Sequence, residues 1–218
     1  MAPPQPTLTP RHSEAEIASR VAEVARRIER DYEDRPLVLL GLLKGSAFFL
    51  ADLCRRIARP HGFEFINVTR REIEGKESVE IDFATPLSLA RKEVVVLKDV
   101  VNTGVIETYL MNQLRADDPA SIRFAAIVDR PHERRSSILV DYVLFSSTDR
   151  DHLVGYGMEH GGLYGHLPHI ASISPPPGPE TGQLRAIKRL ILPLCLSSRT
   201  SVRAGGDGAR DRRPSGKE

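Results

Sequence analysis

The residues best suited to chemistry lie between positions 94 and 104: Val94-Val95-Val96-Leu97-Lys98-Asp99-Val100-Val101-Asn102-Thr103-Gly104. An apolar run ends in a polar cluster, and a Thr-Gly turn then opens a helical pattern carrying Ile106, Leu110 and Leu114. A run of β-branched residues suits a strand buried on both faces. The turn after it points backbone N–H groups and the positive end of a helix outward, which favours an anion. An ordinary strand–turn–helix corner has the same outline, so the pattern by itself leaves both readings open. A second cluster, Leu43-Lys44-Gly45-Ser46, follows the short apolar run Leu37–Leu42. Lys44 in a glycine turn suits an anion or simply solvent.

Three histidines, His160, His166 and His169, lie near Glu159, but their spacings match no common zinc motif and a loop setting is expected for them. The two cysteines, Cys54 and Cys195, form no CxxC pair. Neither a metal cluster nor a disulfide framework is therefore expected, which fits a reduced cytoplasm. The 218-residue chain carries a net charge of +2. From 175 to 218 there are nine Lys/Arg against four Asp/Glu, a net of +5, which leaves −3 for the remainder. The basic bias thus belongs to the tail and says nothing of the ligand of the folded part. The Pro-rich start has no apolar core of a secretory signal, and no apolar run reaches the roughly 20 residues that span a bilayer.

These clusters need elements to hold them. Ser13-Glu14-Ala15-Glu16 reads as a capping box, followed by Ile17, Val21, Val24 and Ile28 at helical spacing, with an end expected at 32–35 before Pro36. Residues 37–42 read as a strand, and Phe49, Leu50, Leu53, Cys54 and Ile57 as one face of a helix. Further strands are expected at 63–69, 94–97, 122–128, 139–145 and 152–156, while the charged stretch 70–80 interrupts the pattern. Strands alternating with helices predict a parallel sheet covered on both faces. In such sheets ligands sit beyond the carboxyl ends of the strands, which is where both clusters fall. After 174, Pro175-Pro176-Pro177-Gly178-Pro179 marks a linker, and the Arg/Gly/Ser-rich 199–218 is expected to be disordered. The basic, apolar stretch 184–196 is expected to be a weakly structured extension rather than a surface-binding segment.

Four segments together resemble the hypoxanthine/guanine phosphoribosyltransferase family, bacterial type. Residues 94–104 resemble its ribose-phosphate motif. Leu43-Lys44-Gly45-Ser46, with Ala51-Asp52-Leu53 after it, resembles its pyrophosphate loop. Asp129-Arg130-Pro131 with Arg134-Arg135, and Val154-Gly155-Tyr156-Gly157 with Leu167-Pro168, resemble its purine pocket. Order and spacing agree over about residues 13–174. The resemblance implies a type I phosphoribosyltransferase-like α/β fold: a mostly parallel, twisted sheet with helices on both faces and a small hood. It divides the chain into a flexible N-terminus (1–12), the domain (13–174) and a linker with a basic tail (175–218).

The implied reaction transfers phosphoribosyl from phosphoribosyl pyrophosphate, with Mg²⁺, to a purine base. Its oxocarbenium-like transition state needs neutralised pyrophosphate, a fixed ribose and a base near the purine N7. By the resemblance, Leu43, Lys44 and Gly45 hold pyrophosphate across a cis peptide at Leu43–Lys44. Lys98, Asp99, Asn102, Thr103 and Gly104 line the ribose and 5′-phosphate, Arg130, His152 and Leu153 the purine, and Asp99 and Glu159 the metal. Several positions depart from the family's pattern. Lys98 replaces the first acid of a pair, Asn102 the proposed general base, Ile106 a phosphate-binding Thr and Gly165 a pyrophosphate-binding Arg. Arg130 replaces a Lys, His152 a Phe and Glu159 an Asp, and residues 70–80 lack the Ser-Tyr of the mobile loop. Glu107, in the first turn of the expected helix, would repel a phosphate if it faced the same way. The expectation is a purine salvage transferase of impaired activity. The alternative is an inactive relative that binds nucleotide as a regulator or pairs with a partner subunit, and a third possibility is a changed substrate with an acidic group for Lys98. A homodimer or tetramer in the cytoplasm is expected, with neither nucleic acid nor a membrane span involved.

Overall fold

The computed structural model describes residues 6–73, 76–83 and 87–174. The expected linker and disordered tail at 175–218 lie outside the described residues. The chain runs β1 (Thr7–His12), α1 (Glu14–Tyr32), β2 (Leu37–Leu42), α2 (Ala47–Cys54), β3 (Gly62–Ile73), β4 (Lys76–Phe83), β5 (Glu93–Val101), α3 (Val105–Leu114), β6 (Ser121–Asp129), β7 (Tyr142–Ser146), β8 (His152–Val154) and β9 (Ile170–Ser174).

Helix α1 starts where its capping box predicts. The Ser13 backbone N–H donates to Glu16 Oε2 at 2.7 Å, and the Glu16 N–H donates to Ser13 Oγ at 3.3 Å. These bonds satisfy backbone donors that a helix start otherwise leaves free. Ile17, Val21, Val24 and Ile28 are buried along one stripe.

Six strands form one sheet in the order β4-β3-β2-β5-β6-β7. All neighbours are parallel except the edge strand β4. Alternation along β2 and β5 sends side chains to two cores. Leu37, Leu39, Val95 and Leu97 join α1 and α2 on one face. Val38, Leu40, Val94 and Val96 join Leu110 and Leu114 of α3 on the other. A strand covered on both faces must be apolar throughout, which is why β2 is buried at all six positions. No helix among the described residues is long and apolar enough to cross a membrane.

Three elements depart from the sequence reading. The charged stretch at 70–80 is not an interruption: β3 runs to Ile73 and pairs antiparallel with β4, from Ile66 with Phe83 to Ile73 with Lys76. The pairing of a hairpin is made by backbone hydrogen bonds, which do not need the apolar alternation by which strands are recognised. The N-terminus, expected to be flexible through residue 12, contains β1, which pairs antiparallel with β9. With β8 these strands make the three-stranded hood, in the order β1-β9-β8. The strand expected at 139–145 begins only at Tyr142, and Leu139 is left exposed.

Candidate active site at the carboxyl ends of β2 and β5

The order of the main sheet reverses between β2 and β5. From β2 the chain crosses to β3 and β4 on one side, then returns to β5, β6 and β7 on the other. A crevice opens outside the carboxyl ends of two strands whose connections diverge in this way, and ligands bind there. The loop after β2 is Leu43-Lys44-Gly45-Ser46 and the end of β5 carries Lys98 and Asp99.

The loop after β2 turns tightly. The Leu43–Lys44 peptide is cis, as the family resemblance implies. Ser46 is buried, and its hydroxyl donates to the Leu42 carbonyl at 2.7 Å, closing the loop back onto the strand. Gly45 is required by its neighbours, since a Cβ there would collide with the Asp99 carboxylate. A Cβ on Gly157 would in turn lie 2.6 Å from the Gly45 carbonyl oxygen. Three segments distant in sequence therefore meet at backbone distance: the loop after β2, the end of β5 and the hood turn after β8. Lys44 is 78% exposed, with Nζ 3.8 Å from Glu159 Oε2. Gly165 faces the same carboxylate: a Cβ there would approach Glu159 Cγ to 2.8 Å. Any residue larger than glycine at 165 would therefore require the Glu159 side chain to shift.

Lys98 and Asp99 form an ion pair, with Nζ 2.9 Å from Oδ1. The same oxygen accepts the Val100 backbone N–H at 2.8 Å. Burial alone would raise the Asp99 carboxyl. The Lys98 ammonium and these hydrogen bonds more than offset it, so the group sits below the ordinary carboxylate range. For Lys98, burial pulls the ammonium down, while Asp99 and then Glu107 pull it up, and the net direction is upward. Glu107, in the first turn of α3, is itself buried. Its charge acts on the Lys98 ammonium.

The turn between β5 and α3 is built from below. Gly104 has φ of +75°, and a Cβ there would collide with the Ser136 hydroxyl. Ser136 Oγ and the Arg135 backbone N–H both donate to the Thr103 carbonyl, at 3.3 and 2.9 Å. Arg134 donates to the Asn102 carbonyl at 3.0 Å and pairs with Asp129. Asn102 Oδ1 is buried without a partner, an acceptor left open at the general-base position. The sequence reading matched Arg134 and Arg135 to the family without giving them a role. Their work is to hold the turn's carbonyls, and nothing in spacing alone reveals such a contact.

The expected purine side is partly assembled. Arg130 is buried, with Nη2 2.6 Å from the Asp151 carbonyl and Nε without a partner. His152 meets His160 edge to face at 4.6 Å between ring centres, and burial, with His160 beside it, holds its pKa below the ordinary value. Leu153 is half-buried and pairs through its backbone with Ser172 of the hood.

The sequence family described as the phosphoribosyl transferase domain matches residues 12–159. The hypoxanthine phosphoribosyltransferase of Salmonella typhimurium is 31% identical over 170 residues, covering 73% of this chain and 92% of its own length. The hypoxanthine-guanine phosphoribosyltransferase of Staphylococcus epidermidis is 32% identical over 163 residues, covering 74% and 90%. A crystal structure of a hypoxanthine-guanine phosphoribosyltransferase from Bacillus anthracis superposes with a TM-score of 0.70 at 29% identity, over 78% of this chain and 99% of that one. The chain belongs to the phosphoribosyltransferase family, in its bacterial hypoxanthine-guanine branch. The mostly parallel sheet with helices on both faces matches that fold.

The family implies Mg²⁺, with Asp99 and Glu159 as the expected ligands. The donor set does not fit an ion at Asp99. One carboxylate oxygen already accepts from an ammonium and an N–H, and the other faces Gly45. Among the described residues no group of three or more His, Cys, Asp or Glu side chains converges, although Mg²⁺ is commonly held by one or two carboxylates with substrate phosphates and needs no such group.

Proposed function

We propose that the chain is a purine phosphoribosyltransferase of nucleotide salvage whose chemical step is slow. One observation carries the reading: Gly45 packs against the Asp99 carboxylate, so a pyrophosphate loop and a ribose-phosphate turn share one crevice at the switch point of the sheet. In the reaction, the purine N9 forms a bond to carbon 1 of the ribose as the bond from carbon 1 to the pyrophosphate oxygen breaks. Pyrophosphate leaves with the electron pair, and the purine gives up a ring proton. Leu43, Lys44 and Gly45 hold pyrophosphate through backbone amides and an ammonium. Thr103 and Gly104 present the 5′-phosphate to the start of α3, where its N–H groups and dipole favour an anion. Asp99 and Lys98 face the ribose. Arg130 reads the exocyclic oxygen of the purine as a planar donor, and His152 and Leu153 flank the ring. If Mg²⁺ were bound, Glu159 would be the carboxylate left to hold it.

Asn102 accounts for the slow step. An amide oxygen accepts a hydrogen bond from the purine N7–H but has no useful basicity near neutral pH, so the proton must go to solvent. A positioned base is worth about 10²–10⁴-fold in rate. The same substitution, with the Lys98–Asp99 pair, favours a second reading in which the chain binds purine nucleotide as a regulator or as one subunit of an oligomer. A cytoplasmic homodimer or tetramer belongs to either reading. Calorimetry with IMP and GMP, with and without Mg²⁺, tests the binding that both share. Saturable heat with either nucleotide is expected, and its absence under all four conditions would refute both.

A further inference from the structure

We propose that the Lys98 ammonium is a built-in cation that takes the place of the divalent metal at the ribose end of this site, so that phosphoribosyl pyrophosphate binds without added metal. The inference rests on the phosphoribosyl reading of the site and deepens it. Lys98 is not a free lysine on a rim. Its Nζ lies 2.9 Å from Asp99 Oδ1, and its side chain is 18% exposed. The buried Glu107 acts on the same ammonium from α3. One carboxylate thus pairs directly with the cation, and a second adds its charge from the next element. The Asp99 carboxylate touches Gly45, so the cation is fixed beside the loop expected to hold pyrophosphate.

The charge balance follows. A divalent ion at an acidic pair neutralises the two carboxylates and lends its positive field to the ligand. Here the sequence has replaced one acid by a base, which removes a negative charge and adds a positive one at the same place. An ammonium has three donors. One is spent on Asp99, which leaves donors for a ribose hydroxyl or a pyrophosphate oxygen. A tethered ammonium is a permanent point charge that needs no metal to be present, though it offers less charge than Mg²⁺.

The test is calorimetry of the full chain with phosphoribosyl pyrophosphate, first in EDTA and then in millimolar Mg²⁺. The wild-type Kd is expected to agree within about threefold between the two conditions, a difference smaller than one hydrogen bond to a charged group. Lys98→Gln is expected to lose about tenfold or more in EDTA, the scale of one charge-assisted hydrogen bond, and Lys98→Arg to retain most of the affinity. Binding by the wild type only in Mg²⁺ would overturn this inference and leave the phosphoribosyl reading standing. No binding in either condition would overturn that reading and this inference with it. Wild-type affinity in folded Lys98→Gln would remove Lys98 from the site. The wild-type comparison decides the metal question even if that variant fails to fold.

Discussion

Under the proposed transfer reaction, position 102 holds an amide where a proton acceptor is called for, and position 98 an ammonium where a carboxylate is called for. Both positions are held in place. The Asn102 backbone is pinned by Arg134, and the Lys98 head by Asp99. Restoring the two carboxylates is therefore expected to restore rate where Mg²⁺ supplies the positive charge that Lys98 gives up. Asn102→Asp combined with Lys98→Glu, assayed for purine-dependent pyrophosphate release in Mg²⁺, is expected to gain about 10²-fold or more, the lower end of what a positioned base contributes. No gain in a folded double variant would mean that substrate binding, not proton transfer, limits the reaction. Asn102, Lys98 and Asp99 were all legible as positions in the sequence. What the sequence could not reveal is that Asp99 is already engaged, because a neighbour in sequence on a strand ordinarily points to the opposite face.

Among the elements, the hood carries the turn that closes the crevice. Gly155, directly after β8, has φ of +91°, and a Cβ there would collide with the His169 carbonyl just before β9. The turn is otherwise held by backbone bonds, from Gly155 N–H to the Met158 carbonyl at 2.9 Å and from Tyr156 N–H to the Leu167 carbonyl at 2.8 Å. Gly155→Ala is expected to cost about 3 kcal/mol, from the left-handed penalty and overpacking together. A urea titration checks this, and a midpoint equal to wild type would show that the hood turn adapts. The hood was read poorly from the sequence. β1 and β9 are short strands of a three-stranded sheet, and β1 reads Thr-Leu-Thr-Pro-Arg-His with mostly exposed positions. Such a strand forms because a distant partner, β9, supplies its hydrogen bonds, and no local pattern announces that.

Across the whole molecule the two ends of the main sheet divide the work. The carboxyl ends hold the crevice, and the amino ends hold a polar cluster around Tyr142 at the start of β7. Tyr142 is fully buried, and its hydroxyl donates to Asp31 at 2.7 Å and accepts from Arg123 at 3.0 Å. Burial, reinforced by Asp31, pushes its pKa far above the ordinary tyrosine value, so it stays neutral. Tyr142→Phe is expected to destabilise the fold by about 2 kcal/mol, since it leaves Asp31 and Arg123 short of a partner, and to lower Tm by about 4–8 °C. Nucleotide affinity measured by calorimetry on the same variant is expected to be unchanged, because the cluster lies at the opposite ends of the strands. A loss of affinity without a loss of Tm would contradict this division.

Local spacing was enough to give the alternation of strands and helices, the capped start of α1, the strands buried on both faces and the positions of the loops that follow β2 and β5. Those features depend on local spacing, and local spacing is written in the chain. The hairpin of β3 and β4, the place of β1 in the hood, and the packing of Gly45 against the Asp99 carboxylate and the Gly157 backbone became visible only in three dimensions. The same is true of the pairing of the Lys98 ammonium with the Asp99 carboxylate, which leaves little of the lysine side chain exposed. These outcomes depend on which surfaces a long connection brings together. A side chain's charge is known from its type, but its partner is set by residues far along the chain.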